Sequence, residues 1–379
     1  MHFGKSCLPL SGLFPVAILT GLLTILLLPQ LGWAKNTGDV YVMTNQSRRN
    51  SVMVFHRDAN GNLTFAGSFS SGGKGTGTGA DPLGSQGALT LSEDNRLLFA
   101  VNAGSNSVSV FAVSGDKLIL LNTIASGGTM PVSVASEDNL VYALNAGGTP
   151  DISGFSLDPE TNHLVPLAGS TQNLPGGAKA APAQVSFSPE EGVLIVTEKA
   201  TNLIDTFTLE DGVAQPGVSF TSNGTTPFGF SFGRDDTLIV SDADGGPGKT
   251  SALSSYEVEE NGVLELITPA LGDTQKAACW VVVPRDGRFA YTSNTASNTI
   301  SSYTVSDDGK LALLKVKAAS TGKGSVPIDM ALSNNSDFLY VRNGGNGTVS
   351  GFRIHADGSL TEVTSAAGVP SGAQGIAAR

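Results

Sequence analysis

Short apolar runs recur along this chain, and each ends in a polar residue that can turn the backbone. They read VYVMTN to Asn45, LLFAVN to Asn102, LVYALN to Asn145, VLIVTE to Glu198, TLIVSD to Asp242, FAYTSN to Asn294 and FLYVRN to Asn343. A polar turn follows each run, then a second strand that closes on an aromatic: Phe55, Phe111, Phe155, Phe207, Tyr256, Tyr303 and Phe352. These aromatics lie 56, 44, 52, 49, 47 and 49 residues apart, the period of a propeller blade.

Behind the aromatics come Asn60-Gly61, Asp211-Gly212, Asn261-Gly262, Asp308-Gly309 and Asp357-Gly358, each before an apolar strand. Such pairs supply the positive φ angles that tight hairpins need. A further short strand precedes each of the later runs, as in ALTLSEDN (88–95), VSVASEDN (132–139), QVSFSPEEG (184–192), WVVVPRDG (280–287) and DMALSNNS (329–336). Each unit is therefore four strands, A to D. The first unit lacks its A strand, and Gln374-Gly-Ile-Ala-Ala at the other end echoes Gln86-Gly-Ala-Leu-Thr. The pattern predicts an all-β seven-bladed β-propeller of four-stranded antiparallel blades, its ring closed by pairing of the C-terminal strand with the N-terminal ones.

The first 34 residues break this pattern. Lys5, an apolar run from Leu13 to Leu28 and then Leu31-Gly-Trp-Ala34 read as a signal peptide, with residues 35–379 as a single propeller domain. The run is also long enough to stay as an anchor. With cleavage the expectation is an exported protein, periplasmic or extracellular, with no stable membrane span. Cys7 falls in the leader and Cys279 stands alone after it, so stability rests on packing and not on disulfides. Losing Lys5 leaves 21 basic against 33 acidic residues, which argues against a nucleic-acid partner. The glycine-rich stretch Ser71–Gly79 lacks phosphate-loop spacing and reads as a flexible inter-blade loop.

In such blades the start of strand A and the end of strand B share one face, around one mouth of the central channel. That places Asn45, Asn102, Asn145, Glu198, Asp242, Asn294 and Asn343 beside Gln86, Gln184, Trp280, Asp329 and Gln374. Asparagine at a strand end also caps turns, and Trp280 also serves as packing, so these residues carry two readings. Glu198 and Asp242 are the candidate catalytic carboxylates, and with Asp244 they form an oxygen set that calcium accepts; solvated turn carboxylates are the alternative. Arg342 and Lys199 flank the mouth. His56, His163 and His355 fall on the opposite face, which leaves no imidazole base there. One thiol and no Cys/His cluster give no zinc site, and no metal or cofactor is expected.

The GSQGAL strand (84–89), LLFAVNAGSNSVSVF (97–111) and the FSP and VVP turns resemble the seven-bladed lactonase propellers, which include 6-phosphogluconolactonase-like and carboxymuconate-lactonizing proteins. The resemblance implies a lactone hydrolase or cycloisomerase whose strand A starts carry Pro-x-His or Pro-Arg-His. Here the matching tripeptides are Pro182-Ala-Gln184, Pro227-Phe-Gly229, Ala278-Cys-Trp280 and Pro327-Ile-Asp329, without those histidines and arginines. Tyr291-Thr-Ser-Asn294 with Asn298-Thr-Ile-Ser also resembles surface-exposed YVTN-type propellers. Two functions follow: a lactone-active enzyme working through Glu198 and Asp242, or a non-catalytic propeller binding a small molecule or glycan at the mouth.

Overall fold

A computed structural model describes residues 37–77, 79–190 and 192–379; the leader expected over 1–34 lies outside them. Seven antiparallel sheets of four principal strands follow one another around an axis as blades I to VII. Strands B, C and D of blade I are Gly38–Met43, Ser51–Arg57 and Leu63–Ser70. Its strand A is Ile376–Ala378, which pairs Val40 with Ala378 and Val42 with Ile376, as the displaced C-terminal strand predicts. The seven closing aromatics are all buried. Among the described residues almost no helix is present, only the short 3-10 turn Gly177–Lys179.

The recurrent turn glycines do more than permit a positive φ. Gly61, Gly212, Gly262, Gly309 and Gly358 have φ between 72° and 92° in the turns after strand C. Each carbonyl accepts a hydroxyl from the preceding blade: Tyr340 to Gly61 (3.0 Å), Tyr142 to Gly212 (2.7 Å), Thr206 to Gly262 (2.8 Å), Ser255 to Gly309 (2.8 Å) and Tyr291 to Gly358 (2.9 Å). A tight turn leaves its carbonyl pointing outward, and the neighbouring blade uses it, so local turn chemistry rivets five blade interfaces.

Blade IV departs from the expected pattern. The Asp211-Gly212 turn does not lead into strand D but joins a small extra hairpin, Leu209–Glu210 with Val213–Ala214; strand D is Val218–Thr221, after Pro216. Proline has no N–H for the ladder, so the strand begins anew beyond it.

Candidate site at the axial channel

The D–A and B–C connections form one face, here the upper one, and the A–B and C–D turns form the lower. Strand A starts and strand B ends gather at the upper face, as the repeat requires. His56 faces Asp39 at the start of strand B, and His163 and His355 lie in C–D turns, so all three belong to the lower face.

The upper end of the channel is filled by the chain itself. Segment 81–86, expected as strand from residue 84 onward and preceding the observed strand Leu89–Leu91, crosses the axis. It is tied to blades I, III, IV, V and VI, the tie to V running from Gln86 Nε2 to the Phe230 carbonyl (3.4 Å). Gln374 Nε2 donates to Asp81 Oδ1 (2.7 Å) and to the Ser85 carbonyl (2.9 Å), while its Oε1 accepts from Leu83 N (2.9 Å). Trp280 Nε1 donates to the Ser85 carbonyl (2.9 Å), Lys199 Nζ donates to the Gly84 carbonyl, and Ser85 Oγ donates to the Val132 carbonyl (2.8 Å). Gln86 clasps Val281, giving Nε2–H to its carbonyl (2.8 Å) and taking its N–H on Oε1 (3.1 Å); Gln184 does the same to Phe230 at 3.0 and 2.7 Å. These amides mimic strand pairing, Gln86 across the axis and Gln184 between neighbouring blades. The adjoining Ser71–Gly77 is likewise held, with Asn50 N donating to the Gly73 carbonyl (2.9 Å) and Thr76 N to Asn45 Oδ1 (3.0 Å).

The strand B ends lie beneath these connections with no exposed surface. Their partners repeat. Asn102 Nδ2 donates to Ser109 Oγ (2.7 Å), Asn294 Nδ2 to Ser301 Oγ (2.8 Å) and Asn343 Nδ2 to Ser350 Oγ (2.9 Å), each seven residues ahead on strand C. Asn145 Nδ2 donates to Asp151 Oδ1 (2.8 Å). Thus these four asparagines brace strands B and C, whereas Asn45 bonds Thr76 of the next connection. A serine seven positions after Asn102, Asn294 and Asn343 is the signal in the sequence that marks this role in those three blades.

Blade IV places two carboxyls where those blades have Asn and Ser. Glu198 accepts Gly176 N on Oε1 (3.0 Å) and the Thr201 hydroxyl on Oε2. Asp205, buried on strand C, accepts Ser219 Oγ (2.5 Å); burial, and next the Glu198 carboxyl beside it, hold its acid well above the usual range. In blade V, Asp242 accepts Ser222 Oγ (3.1 Å) and Ser254 Oγ (2.8 Å), and burial raises it to about 7. Glu198 and Asp242 therefore serve separate blades, and Asp244 is exposed. The three do not gather as a ligand set; the group of acids within ligand distance of one another among the described residues is exposed Glu257, Glu259 and Glu265.

Trp280 is wholly buried against Phe228, ring centres 4.9 Å apart, so it packs and offers no free face. Asp329 is raised to about 8 by burial while accepting Met330 N (2.9 Å) and Ile376 N (3.3 Å). Arg342 gives Nη2–H to the Pro370 carbonyl (2.7 Å), and Lys199 Nζ lies 4.8 Å over the Phe228 ring. Burial pushes the Cys279 thiol up to about 12.

Below this plug the channel opens on the lower face as a well of about 450 Å³. Gln86, Gln184 and Asp329 form its inner end, and Ser136, Ser186, Asn334 and Arg285 line its walls and rim. Of the residues expected at the mouth, Gln86, Gln184 and Asp329 line this well, whereas Asn102, Asn145, Glu198, Asp242, Asn294 and Asn343 are buried beneath the upper connections.

The family described as "Lactonase, 7-bladed beta-propeller" matches residues 31–176 and 249–374. The unmatched interval contains blade IV and both candidate carboxylates. A 6-phosphogluconolactonase of Bacillus subtilis (strain 168) is 24% identical over 309 residues, which is 77% of this chain and 86% of that protein. Among solved structures, a periplasmic gluconolactonase of Pseudomonas aeruginosa superposes with a TM-score of 0.66 at 17% identity, over 89% of this chain and 98% of its own. A Lactobacillus plantarum protein gives 0.70 at 17% identity, over 89% and 98%. The chain belongs to the seven-bladed β-propeller lactonase family.

Proposed function

We propose that this chain is an exported, non-catalytic member of the lactonase propeller family that holds a small ligand in its lower-face well without turning it over. The plug carries this reading. A general base must reach the proton it removes, and Glu198 has no exposed surface, with Gly176 N, the Thr201 hydroxyl and Asp205 occupying its carboxyl. Asp242 is equally enclosed by two serines. The well sets the amides of Gln86 and Gln184, the carboxyl of Asp329 and the hydroxyls of Ser136 and Ser186 among aliphatic side chains such as Val185 and Met330. With Arg285 among its lining residues and no aromatic ring, this lining suits a small hydroxylated molecule. Export is supported by the leader-like residues 1–34. The periplasmic address in the name of the Pseudomonas relative accords with it.

The likeness to 6-phosphogluconolactonase favours a second reading, an active lactone hydrolase or lactonizing isomerase, which requires segment 81–86 to leave the axis. The test is hydrolysis of γ- and δ-lactones, sugar lactones included, by the purified chain 35–379, with calorimetric titration of the parent sugars alongside. Binding without turnover is expected. Turnover that disappears in Glu198→Gln overturns the proposal.

A further inference from the structure

The chain's net charge of −11 conceals a division between its two faces. Among the described residues, the upper connections expose Arg48, Arg49, Lys74, Lys179, Lys249, Lys276 and Lys323, and the acid exposed among them is Asp244. The other acids of those connections are withdrawn: Asp273 is fully buried, and Asp81 is held beneath Gln374. The seven cations enter no ion pair among the described residues, whereas the ion pairs that do form belong to the lower face, such as Arg96 with Asp94 and Lys310 with Asp308. The lower turns carry acids in every blade, including Glu93, Asp138, Asp286 and Asp357. Folding therefore sorts the charges, and an anion meeting the upper face sees a local field opposite in sign to the protein's net charge.

We propose that this upper face docks an acidic polysaccharide, a polymer of hydroxyls and carboxylates. The cations are distributed round the ring, in the connections of blade I, between I and II, III and IV, V and VI, VI and VII, and within V. That spread suits a polymer laid across the disc and not a point ligand. Between the cations the loops expose Thr76, Asn173, Thr225, Thr274, Asn346 and Ser371, groups that hydrogen-bond sugar hydroxyls. The large exposed apolar side chains, Phe65, Ile119 and Val218 among them, lie instead on strands D at the rim. The face thus has neither the apolar anchors that hold a bilayer nor the aromatic platforms on which nucleobases stack.

The probe is fluorescent polygalacturonate, with neutral dextran, vesicles carrying anionic lipid and a single-stranded oligonucleotide measured in parallel. Polygalacturonate is expected to bind and dextran not. Because exposed charges are screened, its affinity should fall at least ~10-fold between about 20 and about 200 mM salt. Replacing Lys74, Lys179, Lys249, Lys276 and Lys323 together by Gln should weaken binding by at least ~10-fold at an unchanged melting temperature, since all five are exposed. The same change at Lys117 and Lys310 on the lower turns should leave it intact. Absence of binding at low salt, undiminished binding by the five-fold variant, or tighter binding to vesicles or oligonucleotide than to polygalacturonate overturns the proposal. Lactone turnover is read separately and bears on the plug alone.

Discussion

Glu198 and Asp205 set two buried carboxyls together at the place where blades II, VI and VII join Asn to Ser, and Asp205 Oδ2 is buried there with no hydrogen-bond donor. Such a pair holds together when one member keeps its proton, and Asp205 does so because burial and Glu198 raise its acid. Asp205→Asn keeps an acceptor for Ser219 and supplies a permanent donor to Glu198. The variant should melt higher than the parent at pH 8 and about equally at pH 5. A lower melting temperature at pH 8 would refute a protonated Asp205.

Asp242 and Asp329 extend this dependence on pH. Unfolded, both ionise near the ordinary carboxyl value; folded, burial keeps them protonated to about 7 and about 8. Folding then takes up protons between pH 4 and 8, so the stability they contribute falls as pH rises through that window. The melting temperature should be higher at pH 5 than at pH 8. Asp329→Asn should narrow the gap, and Asn also tolerates the φ of 57° at this position. Calorimetry at the two pH values checks both, and an equal gap in the variant would exclude Asp329 as its source.

Blades, turn residues and ring closure were legible because they are written in local alternation and turn chemistry. The extra hairpin was not. Asp211-Gly212 has the same sequence and the same inter-blade carbonyl role as the other turns, and Pro216 is what postpones strand D. The plug was hidden for a different reason. Nothing in residues 81–86 shows a periodic apolar face, and the hydrogen bonds that order residues 81–85 come from Gln374 and Trp280, which stand far along the chain. A stretch without local pattern was fixed by distant donors.

Gly176 and Gly224 roof the strand B ends of blades IV and V. A Cβ on either would overlap the Glu198 carboxyl or the Asp242 carboxyl, neither of which can retreat from its partners. Gly176→Ala and Gly224→Ala should each destabilise by ~1–3 kcal/mol, the usual cost of overpacking. Gly169→Ala, with open space at Cβ but a φ of 79°, should lose through backbone strain instead. Urea midpoints of the three variants separate the causes, since only the first two should be relieved by Glu198→Ala or Asp242→Ala in a double-mutant cycle.

Cross-axis clasps should matter more than their exposed counterparts. Gln86→Ala removes two bonds to Val281 and leaves that residue's N–H and carbonyl without their partner at the inner end of the well. The expected loss is ~1–3 kcal/mol, against ~0.5 kcal/mol or less for an exposed pair such as Arg96 with Asp94. Comparable losses from Gln86→Ala and Arg96→Ala would show that the plug adds nothing to stability.

Closure of the ring depends on the last residues of the chain. Ile376–Ala378 pair with Val40–Val42, Gln374 N donates to the Met43 carbonyl (3.0 Å), and Arg379 N donates to the Asp39 carbonyl (3.0 Å). Arg379 also places Nε and Nη2 on Asp39 Oδ2 at 3.0 and 2.7 Å, while Gln374 clamps the plug. Deleting 371–379 therefore removes an inner strand, exposes the edge of Gly38–Met43 and frees segment 81–86 at once. The loss should exceed ~5 kcal/mol, with aggregation through the bared edge. Arg379→Ala leaves the strand in place and removes one half-buried pair, so it should lose only ~1–2 kcal/mol. Gln374→Ala should keep the ring shut while loosening the plug, lowering stability by ~1–3 kcal/mol, as for Gln86→Ala, and speeding amide exchange over 81–86. Equal protection of those amides in Gln374→Ala and the parent would show that the plug is held from elsewhere, and a deletion no worse than Arg379→Ala would show that the ring does not need its last strand.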